Sequence, residues 1–368
     1  MRIGLVVTGG VDRSGRERVI PALLWLTERL ARQHELFVYV LRYHQEPCTY
    51  PLLGATIRDL GSPPGIRRQT AALTRALRAD GPFDVLHAYW AMPAGLAAGL
   101  AGRRLATPVV LTCDSGEFVS IPEASYGLQR QSRHRLAVAA AVRLAHAVTV
   151  CTSYQHDRAS ACGVRAQIIP LGVDSGAFVG GTERNGPPWR LIHVANLNPV
   201  KDQATLLHAF RRIRTAEDEV HLDIVGLDTL NGAVQGLAAN LALSGAVSFL
   251  GFMPTDRLVS LYRRAHVAVL TSRHEAAGVA TLEAAACGVP TVGTNVGYVH
   301  DWSPVRAIAA PTGNPNAIAE GVLALLRDRD RRSAIAEAAR AWALAHDADW
   351  TARSFTDLYG QVISQMRR

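Results

Sequence analysis

Lys201 is the single lysine among 39 basic residues; the other 38 are arginine. An arginine-biased composition accounts for the 38 and leaves the exception to be explained. A lysine ammonium is a compact point charge with three rotatable donors, suited to phosphate in a narrow pocket. Its surroundings fit that use. LIHVAN, 191–196, reads as a strand, LNPVK as a short loop, and the segment from about Asp202 as a helix. Lys201 therefore stands at the carboxyl end of a strand, beside a helix N-terminus whose free N–H groups and dipole favour an anion. Each charge-assisted contact to a diphosphate there contributes about 1.5–3 kcal/mol.

Two carboxylates follow in SRHEAAGVATLEAAACGVPTV, 272–292. Glu275 falls in the loop after the strand-like HVAVLTS. The small residues AAG come next and let a ligand approach the backbone closely. A helix is expected from Gly278 to Gly288, with Pro290 just beyond. Glu283 lies about five residues into it, roughly 7–8 Å along the axis. That spacing suits two separated sets of hydroxyls on one ligand. It suits a paired-carboxylate hydrolase less, since both groups must then flank one bond.

The elements that must position these residues alternate along the whole chain. Apolar runs at 2–8, 34–41, 84–89, 108–113, 147–152 and 167–171 read as buried parallel strands, with helical patterns at about 17–33, 66–79, 93–104, 130–145 and 153–162. GVDSGAFVGGTERNGPPW, 172–189, carries no period and reads as a linker. The alternation then restarts, with strands near 190–195, 220–226, 247–251, 266–271, 290–293 and 305–310. Helices are expected near 202–215, 231–244, 256–265, 279–287 and 315–327, then at 330–346 and 348–366. The expected fold is α/β: two tandem doubly wound, Rossmann-like domains, 1–172 and 173–345, with a terminal helix over 346–368. Such sheets bind ligands beyond the carboxyl ends of their strands, and the cleft between two of them is the default site.

Composition narrows the function. The five cysteines are widely spaced and contain no Cys-x-x-Cys, which argues against a disulfide framework and a zinc site and for a reducing compartment. MRIGLVVTGG reads as a first strand and not a signal peptide, and no apolar run approaches the roughly 18 residues that span a bilayer. The net charge of +8 is uneven: residues 1–175 carry 20 Arg against 13 Asp+Glu. GIRRQTAALTRALRAD puts Arg68, Arg75 and Arg78 on one helical face, and QRQSRHR adds Arg130, Arg133 and Arg135. This face reads either as the solvated surface of an arginine-rich protein or as a site for an anionic partner, a phospholipid surface or a phosphorylated acceptor. No nucleic-acid motif accompanies the charge. A nicotinamide-dependent oxidoreductase is excluded because TGGVDRSG lacks Gly-x-Gly-x-x-Gly, and a serine hydrolase because Gly-x-Ser-x-Gly is missing.

HEAAGVATLEAAACGVP resembles the Glu-x7-Glu signature of retaining family 4 glycosyltransferases of the GT-B architecture. HVANLNPVKDQATLLHAF is similar to their phosphate-binding loop and helix, VSFLGFMPTDRLVSLYRRAHVAVLTS to the segment before the signature, and IIPLGVD to their interdomain junction. The resemblance implies transfer, with retention, of a sugar from a UDP-, GDP- or ADP-sugar, without cofactor or metal. The acceptor it implies is a glycan or a lipid-linked molecule. Lys201 would hold the diphosphate, Glu283 the ribose hydroxyls and Glu275 the donor sugar. Backbone N–H groups of Ala276, Ala277, Gly278 and Val279 would meet sugar or phosphate, and Phe252 would lie near the base. Gly10 and Gly15 look like the loop that closes over donor and acceptor. The terminal helix would cross back to the first domain. Such a protein would be cytoplasmic, in peripheral contact with the inner face of an anionic membrane.

Two positions depart from the family pattern. Asn196 stands where many members have an arginine, which leaves the diphosphate to Lys201, the helix N-terminus or an arginine such as Arg273. Asp114 stands at or next to the place of a histidine, where it would bind a sugar hydroxyl or assist the acceptor. GLDTLNG, 226–232, also replaces a short glycine turn. These departures keep open an alternative, a catalytically impaired GT-B protein that binds nucleotide sugars. A phosphorolytic or epimerising relative is a further one. The acidic triplets at 328–330 and 347–349 read as surface charge.

Overall fold

The computed structural model describes residues 1–181 and 185–366. They form two compact units: Met1–Pro122, Tyr126–Gly172 and Ala348 onward in the first, Val173–Asp347 with Glu123–Ser125 in the second.

In the first unit β1 (Arg2–Val7), α1 (Pro21–Ala31), β2 (Glu35–Val40), β3 (Pro47–Leu52), β4 (Ala55–Leu60), α2 (Gly65–Asp80) and β5 (Val85–Tyr89) come first. They are followed by α3 (Leu96–Leu105), β6 (Val109–Thr112), α4 (Ser132–Leu144), β7 (Ala147–Val150), α5 (Ser153–Ala161) and β8 (Gln167–Ile168). Among the described residues the strands form one sheet in the order β3-β4-β2-β1-β5-β6-β7-β8. β1, with Ile3, Leu5, Val6 and Val7 fully buried, is apolar on both faces because helices cover both. The pattern did not show the β3–β4 hairpin. Its strands are short, β3 carries Pro47 and Pro51 at the sheet edge, and the pair is antiparallel.

The second unit runs β9 (Trp189–Val194), α6 (Gln203–Ala216), β10 (Val220–Val225), α7 (Ala233–Asn240), β11 (Val247–Phe249), α8 (Thr255–Arg264) and β12 (Val267–Leu270). Then come α9 (Val279–Ala286), β13 (Thr291–Thr294), α10 (Gly297–Trp302), β14 (Ala307–Ala310), α11 (Pro315–Arg327) and α12 (Arg329–Ala345). Its described strands are all parallel, in the order β11-β10-β9-β12-β13-β14. α6 buries Leu206, Leu207, Phe210 and Ile213 at helical spacing against β9 and β10, and so aims its N-terminus at the strands' carboxyl ends. The six-residue α10 was not expected from the sequence.

The segment expected to be a linker is partly core. Phe178 is buried and stacks edge-on with Tyr262, and Arg263 donates to the Val179 carbonyl. Residues 182–184 lie outside the described residues. α13 (Ala348–Met366) packs on α1: Arg29 pairs with Asp349, and Tyr359 meets the buried His87 at 2.6 Å. The acidic triplets do more than charge the surface. Asp328 caps α12 through Arg331 N–H, and Asp347 accepts from Ser175 Oγ.

Candidate active site

The loop between β9 and α6 is built by its own polar side chains. Asn198 Oδ1 accepts the N–H groups of Val200 and Lys201 at 3.0 and 3.1 Å, an Asx turn that folds the chain back before α6. Asp202, left-handed at φ 48°, caps α6 by accepting from Thr205 N–H (3.2 Å) and Thr205 Oγ1 (2.9 Å). Beneath the loop His193 is fully buried and burial lowers its pKa to about 4, so it is neutral. Its Nδ1–H donates to the Val269 carbonyl, which leaves Nε2 to accept from Gln203 Nε2. The Gln203 amide also donates to the Asn196 carbonyl. Gly226 presses on the loop from β10. Any Cβ there would lie 2.1 Å from the Ala195 carbonyl, with φ at +143°.

Lys201 Nζ, so positioned, meets Glu275 Oε1 at 2.5 Å, and Ser272 Oγ donates to the same oxygen at 2.6 Å. Burial alone would raise the Glu275 carboxyl; Lys201 and the Ser272 hydroxyl outweigh it and hold the group below the usual carboxylate range. The backbone after Glu275 is clamped. Tyr298 N–H donates to the Ala277 carbonyl at 2.8 Å, and a Cβ on Gly297 would come within 2.3 Å of that oxygen. Ala276 and Ala277 are buried, and Gly278, at φ +87°, turns the chain into α9. In the first turn of α9 Thr281 N–H donates to the Gly278 carbonyl, and the N–H groups of Val279 and Ala280 have no partner within the helix, as at every helix start.

Glu283, one turn into α9, is buried and accepts from Tyr262 OH at 3.0 Å. Burial raises its carboxyl to about 7. The Tyr262 hydroxyl also lies 3.2 Å from the Ala280 carbonyl, so one proton faces two acceptors. A proton on Glu283 satisfies both, and an ionised Glu283 would leave one wanting. The site thus holds one carboxylate kept charged by lysine and one kept near neutrality by burial, on the two ends of one motif.

Other anticipated residues make contacts of their own. Asn196 is exposed, and its Oδ1 accepts Leu227 N–H, which pins the 226–232 loop and offers no cation. In that loop Asp228 accepts the N–H groups of Leu230 and Gly232, which lower its pKa. Arg273 places Nη2 3.0 Å from Asp202 Oδ2, so its charge sits on the α6 cap. Phe252, 46% exposed, lies just beyond β11. In the first unit Gly10 and Gly15 both take positive φ in the loop after β1, which Asp12 organises by accepting Ser14 N–H and Tyr43 OH. Asp114 follows β6 and accepts from Cys151 Sγ at 3.2 Å. Sequence reasoning missed Tyr262, His193 and Gln203, which read as core or helix-face residues. It also missed Glu117, buried three residues after Asp114, whose pKa burial raises to about 7 although Ser115 N–H and Ala91 N–H donate to it.

The expected basic face is rearranged. A groove of about 700 Å³ in the first unit is lined by Arg67, Arg75 and Arg78 of α2 and Arg104 of α3, while Arg68 does not line it. None of the four has a carboxylate partner among the described residues. Thr70 lines the same groove with a buried, unpartnered hydroxyl.

Comparison with known proteins accounts for these motifs. Residues 23–176 match the family described as Glycosyltransferase Family 4, and 179–342 match Glycosyl transferases group 1. The chain belongs to family 4 of the glycosyltransferases. A D-inositol 3-phosphate glycosyltransferase of Salinispora tropica is 28% identical over 351 residues, 86% of this chain and 72% of that protein. A GDP-mannose-dependent alpha-(1-6)-phosphatidylinositol monomannoside mannosyltransferase of Mycobacterium tuberculosis is 31% identical over 223 residues, 54% of this chain and 57% of that one. The fold is GT-B. A sucrose-phosphate synthase from Thermosynechococcus elongatus superposes with a TM-score of 0.82 at 18% identity, covering 99% of this chain and 100% of that one. The Anabaena protein Alr3699/HepE, solved with UDP and glucose, gives 0.77 at 17%, covering 98% and 100%.

Proposed function

We propose that this glycosyltransferase moves a sugar from a nucleoside diphosphate sugar to an acceptor hydroxyl with retention at the anomeric carbon and without a metal. The observation that carries the reading is the Lys201–Glu275 contact at the end of β9, between two helix N-termini. With donor bound, Lys201 turns from Glu275 to the diphosphate, and the N-termini of α6 and α9 share the charge that a divalent ion would otherwise neutralise. Glu275, released, faces the sugar hydroxyls. Glu283 hydrogen-bonds the ribose hydroxyls, and Phe252 lies beside the base. The bond from the anomeric carbon to the diphosphate oxygen breaks through an oxocarbenium-like state, and the acceptor oxygen bonds on the same face. The acceptor proton leaves with the diphosphate, whose negative charge Lys201 stabilises. In the first unit Gly10 and Gly15 give the closing loop its freedom, and Asp114 takes an acceptor or sugar hydroxyl.

The acceptor is a phosphate-bearing glycan or lipid, and the protein works at the inner face of an anionic membrane. The unpaired arginines of the α2–α3 groove and the inositol-phosphate acceptors in the relatives' names support this. Calorimetry with UDP, GDP and ADP tests the donor half: one of them binds, and without magnesium. Turnover with the matching sugar, with the product anomer read by NMR, then tests transfer and retention. Binding without transfer to any acceptor would establish the impaired nucleotide-sugar binder instead. For the membrane, liposomes containing anionic lipid should sediment the protein, and changing Arg75, Arg78 and Arg104 to Glu should abolish it. Unchanged sedimentation ends the groove's part in it.

A further inference from the structure

Away from the transferase motif, the first unit assembles a second set of reactive side chains. In the β3–β4 hairpin the register sets Cys48 opposite Asp59. The turn that enters β3 holds His44, four residues before Cys48. His44 Nδ1 lies 2.8 Å from Asp59 Oδ2 and 3.7 Å from Cys48 Sγ, and the ligand atoms of the three residues all lie within 4.8 Å of one another. Asp59 is buried and held on both oxygens, by His44 N–H and Gly61 N–H. His44 and Cys48 are half-exposed, which leaves an entry path.

The donor atoms are one thiol sulfur, one imidazole nitrogen and one carboxylate oxygen. That mixture prefers a borderline-soft ion such as zinc over magnesium or calcium. Metal–ligand bonds of about 2.0–2.3 Å in a tetrahedron separate ligand atoms by roughly 3.3–3.6 Å. The sulfur–nitrogen distance is close to that. The nitrogen–oxygen distance is shorter because a proton holds the pair together, and an ion replacing that proton needs an opening of about half an ångström. Backbone donors already orient the carboxylate, as second partners do in metal sites. Sequence spacing argued against zinc because no Cys-x-x-Cys exists, but this set is joined by strand register and uses a single cysteine.

We propose that His44, Cys48 and Asp59 form a three-ligand site for a zinc-class divalent cation, with its fourth position open to water or a ligand. On binding, the Cys48 thiol loses its proton to solvent and the His44 proton moves from Nδ1 to Nε2. The ion meets one thiolate and one carboxylate, and its charge is balanced. It would sit beneath the loop after β1. Arg13 of that loop places Nη2 3.9 Å from Cys48 Sγ, and Tyr50 OH donates to the Val11 carbonyl. An ion would displace the exposed Arg13 and fasten the hairpin under Gly10 and Gly15.

Cobalt(II) tests the site on the full-length protein. The background is Cys162→Ser, since Cys162 is the exposed thiol and Cys113, Cys151 and Cys287 are buried. After chelator treatment, cobalt should add one equivalent with thiolate-to-cobalt absorption in the near ultraviolet, and release about one proton per ion at neutral pH. Cys48→Ser should abolish the absorption, and Asp59→Asn should weaken binding at least about tenfold. Circular dichroism confirms that each variant folds. No absorption in excess cobalt, or absorption that survives Cys48→Ser, overturns the site and leaves a hydrogen-bonded His44–Asp59 pair only.

Discussion

The two units place their first strand-to-helix turn at the same point of a doubly wound sheet, and build it in opposite ways. After β9 the turn is short. Asn198 and Asp202 satisfy its N–H groups, His193 and Gln203 support it from below, and Gly226 abuts it. After β1 the turn runs from Thr8 to Ile20, is largely exposed, and hangs on Asp12, Tyr43 and Tyr50. Under the proposed function the β9 turn meets a diphosphate, which needs donors fixed before it arrives, because ordering them on binding would consume affinity. A closing loop needs the reverse, few buried contacts and backbone that can rotate.

The largest break in this comparison is Lys201→Ala. Nucleoside diphosphate affinity should fall at least tenfold, about 1.4 kcal/mol, in calorimetry, and turnover by roughly a hundredfold or more. Glu275→Gln sharpens the reading by separating two functions. It frees Lys201, so nucleoside diphosphate binding should hold or tighten while sugar transfer falls by roughly tenfold or more. Equal loss of both would make Glu275 a scaffold for Lys201. Next come the two glycines. Gly226→Ala forces a Cβ against the Ala195 backbone and should cost about 2–4 kcal/mol in denaturant unfolding. Gly10→Ala meets the side chain of Ile20, which can move, and should cost only about 1 kcal/mol while lowering kcat. Equal costs would erase the distinction between the rigid and the mobile turn.

The last test is a pH dependence. Glu283 has its folded pKa raised by burial to about 7 from 4.5. Its contribution is fully present below pH 4.5 and is lost as pH rises to about 7, because the unfolded chain releases the proton first. Between those values the wild type should lose on the order of 1–3 kcal/mol relative to Glu283→Gln, read from paired unfolding curves. A flat difference would mean that the carboxyl titrates normally.

Much of the site was legible because its chemistry is local. A solitary lysine, two glutamates with seven residues between them and the glycines around them all lie on contiguous segments whose strand and helix periods are plain. What was not legible depends on register or on distant elements. Tyr262 reaches Glu283 from another helix, Arg104 joins a groove whose other arginines sit on α2, and the Cys48–Asp59 pairing exists only through an edge hairpin with two prolines. Phe178 reads as linker because one buried aromatic has no period. Arg68 was placed on the basic face by helical spacing alone, which cannot know where α3 lies.

α13 has a consequence for how the molecule is made. The second unit, apart from Glu123–Ser125, occupies one stretch, whereas the first has β1 synthesised early and is finished only when α13 emerges. During translation at about 5–20 residues per second, roughly 10–40 seconds separate Gly172 from Ala348. Throughout that interval His87 lacks Tyr359 and the face of α1 that α13 covers is bare to solvent. Of the two units, the one started earlier is the one completed later.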